Sequence, residues 1–279
     1  MKCAWHEFLS VLPSQMRAEV DNLGRENLEE LHLRLDRPVE LILGGQSHFL
    51  QMVAAPQDIQ YVINTASRYS PWSASTTAQG YITAPGGHRI GICGDCVVMS
   101  GAVTGVRTAT SLCMRVARAF PGIGNRAPRT GSLLILGPPG VGKTTLLREL
   151  IRLRSDRGAA VSVVDERGEL FPGGNIFDPG RRTDILSGCS KAQGVQMALR
   201  TMSPKCIAVD EITAAEDCQA LLSAGWCGVE LLATAHATNC ADLNRRNVYR
   251  PLAQSKLFEQ AIVLGRDKSW HMERMELCT

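Results

Sequence analysis

The stretch LLILGPPGVGKTTLLREL, from Leu133 to Leu150, decides the fold. Its centre, GPPGVGKT from Gly137 to Thr144, fits the pattern G-x-x-x-x-G-K-[ST]. The apolar run Leu133-Leu134-Ile135-Leu136 reads as a buried strand, and the pattern from Lys143 to about Leu153 reads as a helix. A strand, a glycine turn and a helix N-terminus gather several backbone N–H groups and the positive end of a helix dipole at one point, which suits a polyphosphate. Gly137, Pro138, Pro139, Gly140, Val141, Gly142, Lys143, Thr144 and Thr145 are the residues expected to cradle it. Lys143 is expected to reach the β- and γ-phosphates and the Thr144 hydroxyl to ligate Mg²⁺, so ATP and Mg²⁺ are the expected ligands.

The 279 residues, 44% hydrophobic and 20% charged, allow one large or two ordinary globular domains. Net charge is +3 and evenly spread, with 12 basic and 10 acidic side chains in residues 1–130 and 18 and 17 in residues 131–279. That balance gives no footprint for nucleic acid or an anionic lipid surface. No run of eighteen apolar residues is present, and MKCAWHEFLS lacks the apolar centre of a signal peptide. A cytoplasmic location follows as the expectation, with membrane contact made only through a partner. The ten cysteines are scattered and read as reduced, small core residues. Cys93-Gly-Asp-Cys96 has the spacing of half a zinc site, but no second pair follows, and a tight hairpin at Gly94-Asp95 is the expectation.

Short strands and turns alternate through the first part: Leu31 to Leu35, Val39 to Leu43, Ser47 to Leu50, then a helix from Pro56 to about Ser67, then Gly80 to Thr83, His88 to Cys93, Cys96 to Met99 and Ser111 to Ala117. This describes a small α+β domain over residues 1–118. FPGIGNRAPRTG interrupts every period, so residues 119–130 read as a linker. In residues 131–279, apolar runs at Leu133–Leu136, Ala160–Val164, Cys206–Val209, Leu231–Ala235 and Ala261–Leu264 alternate with helical patterns. Such alternation predicts an α/β domain with a parallel sheet covered by helices.

Ligand groups in such sheets stand at the carboxyl ends of the strands. Cys206-Ile-Ala-Val-Asp210-Glu211 is an apolar strand ending in two carboxylates; Asp210 is expected in the Mg²⁺ shell and Glu211 as the residue that polarises an attacking water. Val163-Val-Asp-Glu166-Arg-Gly-Glu169 runs a second strand into acids, with Glu166 or Glu169 directed toward the γ-phosphate. Leu232-Ala-Thr-Ala-His236 ends a third strand in an imidazole that can sense phosphate.

This succession of phosphate loop, acidic box at Asp165–Glu169, Asp210-Glu211 and ATAHA at Ala233–Ala237 resembles the hexameric ATPases of type II and type IV secretion and pilus machines. The resemblance is closer still to the stage III sporulation protein AA family, through ELHLRLDRPVEL (Glu30–Leu41), QGYITAPGGHRIGICG (Gln79–Gly94), Phe120–Leu150, VSVVDERGE (Val161–Glu169), RTDILSGCSKAQG (Arg182–Gly194) and MSPKCIAVDEI (Met202–Ile212). It implies a RecA-like P-loop ATPase domain behind a smaller N-terminal domain, assembled as a ring of six subunits. It also implies a mother-cell ATPase docked on membrane-embedded sporulation complex subunits. On this likeness Glu211, Lys143, Glu166 and His236 are the catalytic set, with Glu166 and His236 coupling the γ-phosphate to domain movement.

In such rings a neighbour supplies an arginine to the developing charge. Arg107, Arg115, Arg118, Arg126 and Arg129 occupy a span without acidic residues and are candidates, together with Arg89, Arg181 and Arg182. Leu186-Ser-Gly-Cys-Ser-Lys-Ala-Gln193 imitates a transporter-ATPase signature, but 43 positions after Lys143 is too short an interval for the subdomain that carries it. It reads instead as a helix start capped by Ser190 or Ser187. Two other readings compete with that of a secretion-type ATPase. A nucleic-acid-dependent ATPase is disfavoured by the charge balance and by the short stretch after the Trp270–Met275 strand, and a nucleotide-dependent scaffold or switch without turnover is disfavoured by Glu211.

Overall fold

A computed structural model describes residues 1–68, 80–172 and 176–275. Gln79, in one of the family-like segments, and residues 276–279 of the expected second domain lie outside them. The chain forms two compact units, one on Met1–Ala119 and the other on Phe120–Phe171 and the residues from Phe177 onward.

In the first unit, helices α1 (Trp5–Ser10), α2 (Ser14–Leu23) and α3 (Pro56–Ala66) accompany strands β1 (Leu28–Arg34), β2 (Pro38–Leu43), β3 (Gln46–Val53), β4 (Tyr81–Thr83), β5 (Arg89–Met99) and β6 (Ala102–Arg115). The strands form an antiparallel sheet in the order β3-β2-β1-β6-β5-β4. Alternation along each strand sends Leu31, Leu33, Leu41, Ile90, Leu112 and Met114 into one core with Phe8, Met16 and Val62 of the helices and Leu12 between α1 and α2. The opposite face carries Glu30, His32, Cys113 and Arg115, because His32 stands across from Cys113 and Glu30 across from Arg115.

Two expectations change here. Gly94-Asp95 is not a hairpin turn: β5 runs through it, with register irregularities at Cys93/Gly94 and Asp95/Cys96. A Cβ on Gly94 would meet the Thr108 carbonyl oxygen at 1.9 Å, so glycine is required by close backbone approach. The true hairpin turns at Ser100-Gly101, and β6 extends back to Ala102, a polar, largely exposed stretch with little hydrophobic alternation to announce it.

In the second unit, β7 (Leu133–Leu136), β8 (Val161–Asp165), β9 (Thr183–Ser187), β10 (Cys206–Val209), β11 (Glu230–Ala235), β12 (Gln260–Leu264) and β13 (Trp270–Arg274) form a sheet in the order β13-β12-β7-β11-β10-β8-β9. All neighbours are parallel except β12 and β13. Strands β7, β8 and β10 are buried at every position, as strands covered on both faces must be. Helix α4 (Lys143–Asp156) follows β7; α5 (Lys191–Thr201), α6 (Ala215–Trp226), α7 (Cys240–Arg245) and α8 (Arg250–Gln254) complete the unit. Ser190 is the N-cap of α5, its hydroxyl accepting from the Gln193 N–H. Edge strand β9 escaped the sequence reading, since its pattern is mostly exposed. The glycine-rich segment after Phe120 packs on α4: Gly122 N–H donates to Glu149 Oε1, and a Cβ on Gly124 would press on Glu149 and Leu150 at 3.1 Å.

Candidate functional site

The loop from Gly137 to Gly142 leaves β7 and enters α4 through Gly142, whose φ of 105° is a left-handed geometry that suits glycine. A Cβ on Gly137 would lie 2.8 Å from Val141 and 3.1 Å from the Leu264 carbonyl oxygen, so the loop is folded tightly against its own tip and β12. Gly140, Val141, Gly142 and Thr145 line a cavity of about 1040 Å³ together with Phe120, Ile123, Arg126, Lys268 and Trp270. Pro138 and Pro139 form the rest of the loop.

Lys143 is 7% exposed. Its ammonium donates to the carbonyls of Gly137 (2.9 Å) and Pro138 (2.8 Å) and to His236 Nδ1 (3.1 Å). Burial pulls its pKa below the ordinary lysine value, while Glu211 and Asp210 hold it up. His236 Nε2 meets Glu211 Oε1 at 2.9 Å. With Nδ1 accepting from Lys143, the network assigns the proton to Nε2, which donates to the carboxylate.

Asp210 joins the opposite side. Its Oδ2 accepts from the Thr144 hydroxyl (2.8 Å), and its Oδ1 accepts from the Thr234 hydroxyl (2.8 Å) and the Glu211 N–H (3.0 Å). Thr234, fully buried on β11, also accepts from the Glu211 N–H at 2.8 Å. The contacts form a closed circuit: Thr144, Asp210, Thr234, Glu211, His236 and Lys143, back to Thr144 through the chain. Glu211 sits at φ 37°, a left-handed conformation that costs a non-glycine residue about 1–3 kcal/mol and recurs at functional sites. Tyr249 steadies the turn, donating to the Ile212 carbonyl at 3.1 Å. Thr234 was visible in ATAHA without a role; only the lateral pairing of β10 with β11 reveals its partners.

The acidic box divides its labour. Asp165 is 2% exposed and accepts from the N–H groups of Glu169 (2.8 Å), Leu170 (2.9 Å) and Phe171 (3.1 Å); burial raises its pKa above the ordinary value, against the opposing pull of the Phe171 and Leu170 N–H groups. Arg148 of α4 braces the same loop through the carbonyls of Glu169 and Leu170 and lies 4.3 Å from the centre of the Phe177 ring. Burial lowers Arg148 to about 10. Glu166 lines one cavity with Glu169, Asp210 and Glu211, and its carboxylate accepts from Lys191 Nζ at 2.5 Å. Lys191, 6% exposed at the start of α5, had no role in the sequence reading.

The arginines separate. Arg115 is not unpaired, as its acid-free span had suggested, because Glu30 on the neighbouring strand reaches it at 3.1 Å. Arg118 donates to the carbonyls of Arg25 and Leu28, Arg129 to that of Asn125, and Arg182 to that of Gly158. Arg89 lies over the Tyr81 ring at 4.1 Å. Arg107, Arg126 and Arg181 are exposed.

Residues 6–272 match the family described as "Sporulation stage III, protein AA". The chain belongs to the stage III sporulation protein AA family. It is 35% identical to the stage III sporulation protein AA of Bacillus subtilis, over 94% of this chain and 92% of that one. It is also 28% identical to an uncharacterized protein, ycf45, of Porphyra purpurea, over 94% of this chain and 45% of the relative. Among solved structures, the family member is similar to the Legionella pneumophila ATPase DotB, with TM-score 0.56 and 19% identity over 94% of this chain and 80% of the other. It is likewise similar to the pilus retraction motor PilT with bound ADP, with TM-score 0.59 and 16% identity over 89% and 76%. Its architecture is therefore that of the RecA-like secretion ATPases, behind an N-terminal antiparallel-sheet domain. No helix of the described residues is long and apolar enough to cross a membrane.

Proposed function

We propose that this family member is an Mg²⁺-dependent ATPase that energises or assembles a secretion-like membrane complex between mother cell and forespore. The observation that carries this reading is the closed circuit from Thr144 through Asp210, Thr234, Glu211 and His236 to Lys143, set at the phosphate loop. The residues fit the ligands: the tight glycine loop and the start of α4 present N–H groups to phosphate, and Thr144 and Asp210 offer the oxygen donors a small hard cation takes. Gly137 to Thr145 bind the polyphosphate, and Lys143 exchanges its carbonyl partners for the β- and γ-oxygens. Thr144 and Asp210 would hold Mg²⁺, which would supply positive charge against the phosphates. Glu211 orients the attacking water, and His236, hydrogen-bonded to both Glu211 and Lys143, links that carboxylate to the phosphate end. Glu166, held by Lys191, joins His236 in coupling the γ-phosphate to domain movement.

By likeness to the secretion ATPases, the subunits close into a ring of six. Arg107 and Arg181 are then the arginines available to a neighbour, since Arg126 lines the cavity at its own loop and the others named above are engaged within their own units. The protein acts in the mother-cell cytoplasm, reaches the membrane through its partner subunits and needs no nucleic acid. Two variants test the assignment. Lys143→Ala is expected to abolish nucleotide binding, whereas Glu211→Gln is expected to bind nucleotide normally and lose turnover by at least about 100-fold. Equal loss of binding in both would sink it. Normal binding with no wild-type turnover at any protein concentration would leave a nucleotide-dependent scaffold in its place.

A further inference from the structure

On the polar face of the first unit's sheet, β1 places Glu30 and His32 two residues apart and therefore on the same side, while β6 places Cys113 directly across from His32. Among the described residues this is a group that offers three ligand atoms within 4.8 Å of one another, and all three residues are partly buried. Glu30 Oε2 stands 2.9 Å from His32 Nε2, and Cys113 Sγ stands 3.7 Å from the carboxylate oxygen and 3.8 Å from the imidazole nitrogen.

The geometry points to a binding site for a zinc-class divalent ion held by Glu30 Oε2, His32 Nε2 and Cys113 Sγ, with a fourth position left for water or an incoming ligand. A tetrahedral ion with Zn–N and Zn–O near 2.1 Å and Zn–S near 2.3 Å sets its ligands apart by about 3.4 Å for nitrogen and oxygen and about 3.6 Å for each pair that includes sulfur. The triangle in the structure matches those lengths to within about half an ångström on each side. A small rotation that trades the Glu30–His32 hydrogen bond for two metal bonds completes the fit.

The surroundings support the site. Arg115 Nε grips the other carboxylate oxygen, Oε1, at 3.1 Å and so aims Oε2 at the imidazole and thiol. Arg34 is anchored on Glu40, and its second terminal nitrogen stands 3.5 Å from His32 Nδ1, at the limit of a hydrogen bond, so moving the imidazole proton to Nδ1 to free Nε2 for a cation gives up only that marginal contact. The incoming ion displaces the Cys113 thiol proton to solvent, and the resulting thiolate and the Glu30 carboxylate together match the charge of a dication. The mixed nitrogen, sulfur and oxygen set selects zinc-like ions over Mg²⁺, which prefers oxygen alone, and so separates this site chemically from the phosphate loop. An ion here ties β1 to β6 between residues 81 to 83 positions apart in the chain.

The test is a Co²⁺ titration of the metal-stripped, reduced full-length protein. One equivalent is expected to produce a sulfur-to-cobalt charge-transfer band together with visible d–d bands of tetrahedral strength. Cys113→Ser should remove the charge-transfer band, and His32→Gln should weaken Co²⁺ binding at least about tenfold. Lys143→Ala should leave both bands unchanged, as should the double change Cys93→Ser with Cys96→Ser. Zn²⁺ should displace Co²⁺ stoichiometrically and raise the melting temperature of the wild type but not of Cys113→Ser, whose fold is checked by circular dichroism. Absence of the bands at stoichiometric Co²⁺, or bands that survive Cys113→Ser, would overturn the proposal.

Discussion

Thr234 shows how much one hydroxyl can organise. Buried on β11, it donates to Asp210 and accepts from the Glu211 backbone, so it sets the direction of both acids. Thr234→Val keeps the shape and removes both bonds; we expect a stability loss of about 1–3 kcal/mol in chemical denaturation. Turnover should fall at least about tenfold with nucleotide affinity nearly unchanged, a split that equilibrium binding beside steady-state kinetics would resolve. His88 is a second residue with a defined consequence. It is fully buried, its Nε2 donating to the Ala4 carbonyl at 2.8 Å and its Nδ1 accepting from the Ala117 N–H at 3.0 Å, and burial holds its pKa below the ordinary 6.5. The unfolded chain therefore takes up this proton first. The contribution of His88 is complete above about pH 6.5 and declines as pH falls toward the folded-state value. Thermal melts from pH 7.5 down to 5 should show that decline, and His88→Gln should flatten it.

At the level of elements, β5 depends on its partner strand β6, and the loop after β8 on the neighbouring Asp165 and on Arg148 of α4. Gly94→Ala would drive a Cβ into the Thr108 carbonyl on β6, a backbone obstacle that cannot swing aside. A loss of roughly 1–3 kcal/mol in equilibrium unfolding is expected. Asp165 and Arg148 brace the loop that carries Glu166 from two sides, one through N–H groups and the other through carbonyls. Arg148→Met leaves the phosphate loop's own residues in place but frees the Glu169 and Leu170 carbonyls. Hydrogen exchange over residues 166–171 should speed up and turnover should drop several-fold, while Lys143-dependent nucleotide binding persists. These braces were not legible beforehand, because Asp165 looked like one acid among several and Arg148 like one more polar residue on a helix.

For the whole molecule, the proposed ring predicts that specific turnover climbs with protein concentration as mass increases, and that Arg107→Ala, at an exposed position, lowers the rate of the assembled form without loosening assembly. A flat rate from a monomer, read by mass photometry beside the assay, would remove the neighbour's arginine from the chemistry. The sequence by itself determined the largely parallel sheet, the glycine turn from β7 into α4 and the strand ends bearing Asp210, Glu211 and His236. Those features rest on local rules: an apolar run buried on both faces, glycines at a tight turn, and acids where a strand stops. Only the tertiary structure decided which of those residues touch. Parallel strands lie side by side through crossovers, so the meeting of Thr234 with Asp210, and of His236 with both Glu211 and Lys143, depends on lateral order and register. The same holds for Glu30, His32 and Cys113, which antiparallel pairing of β1 with β6 draws from opposite ends of the first unit onto one face.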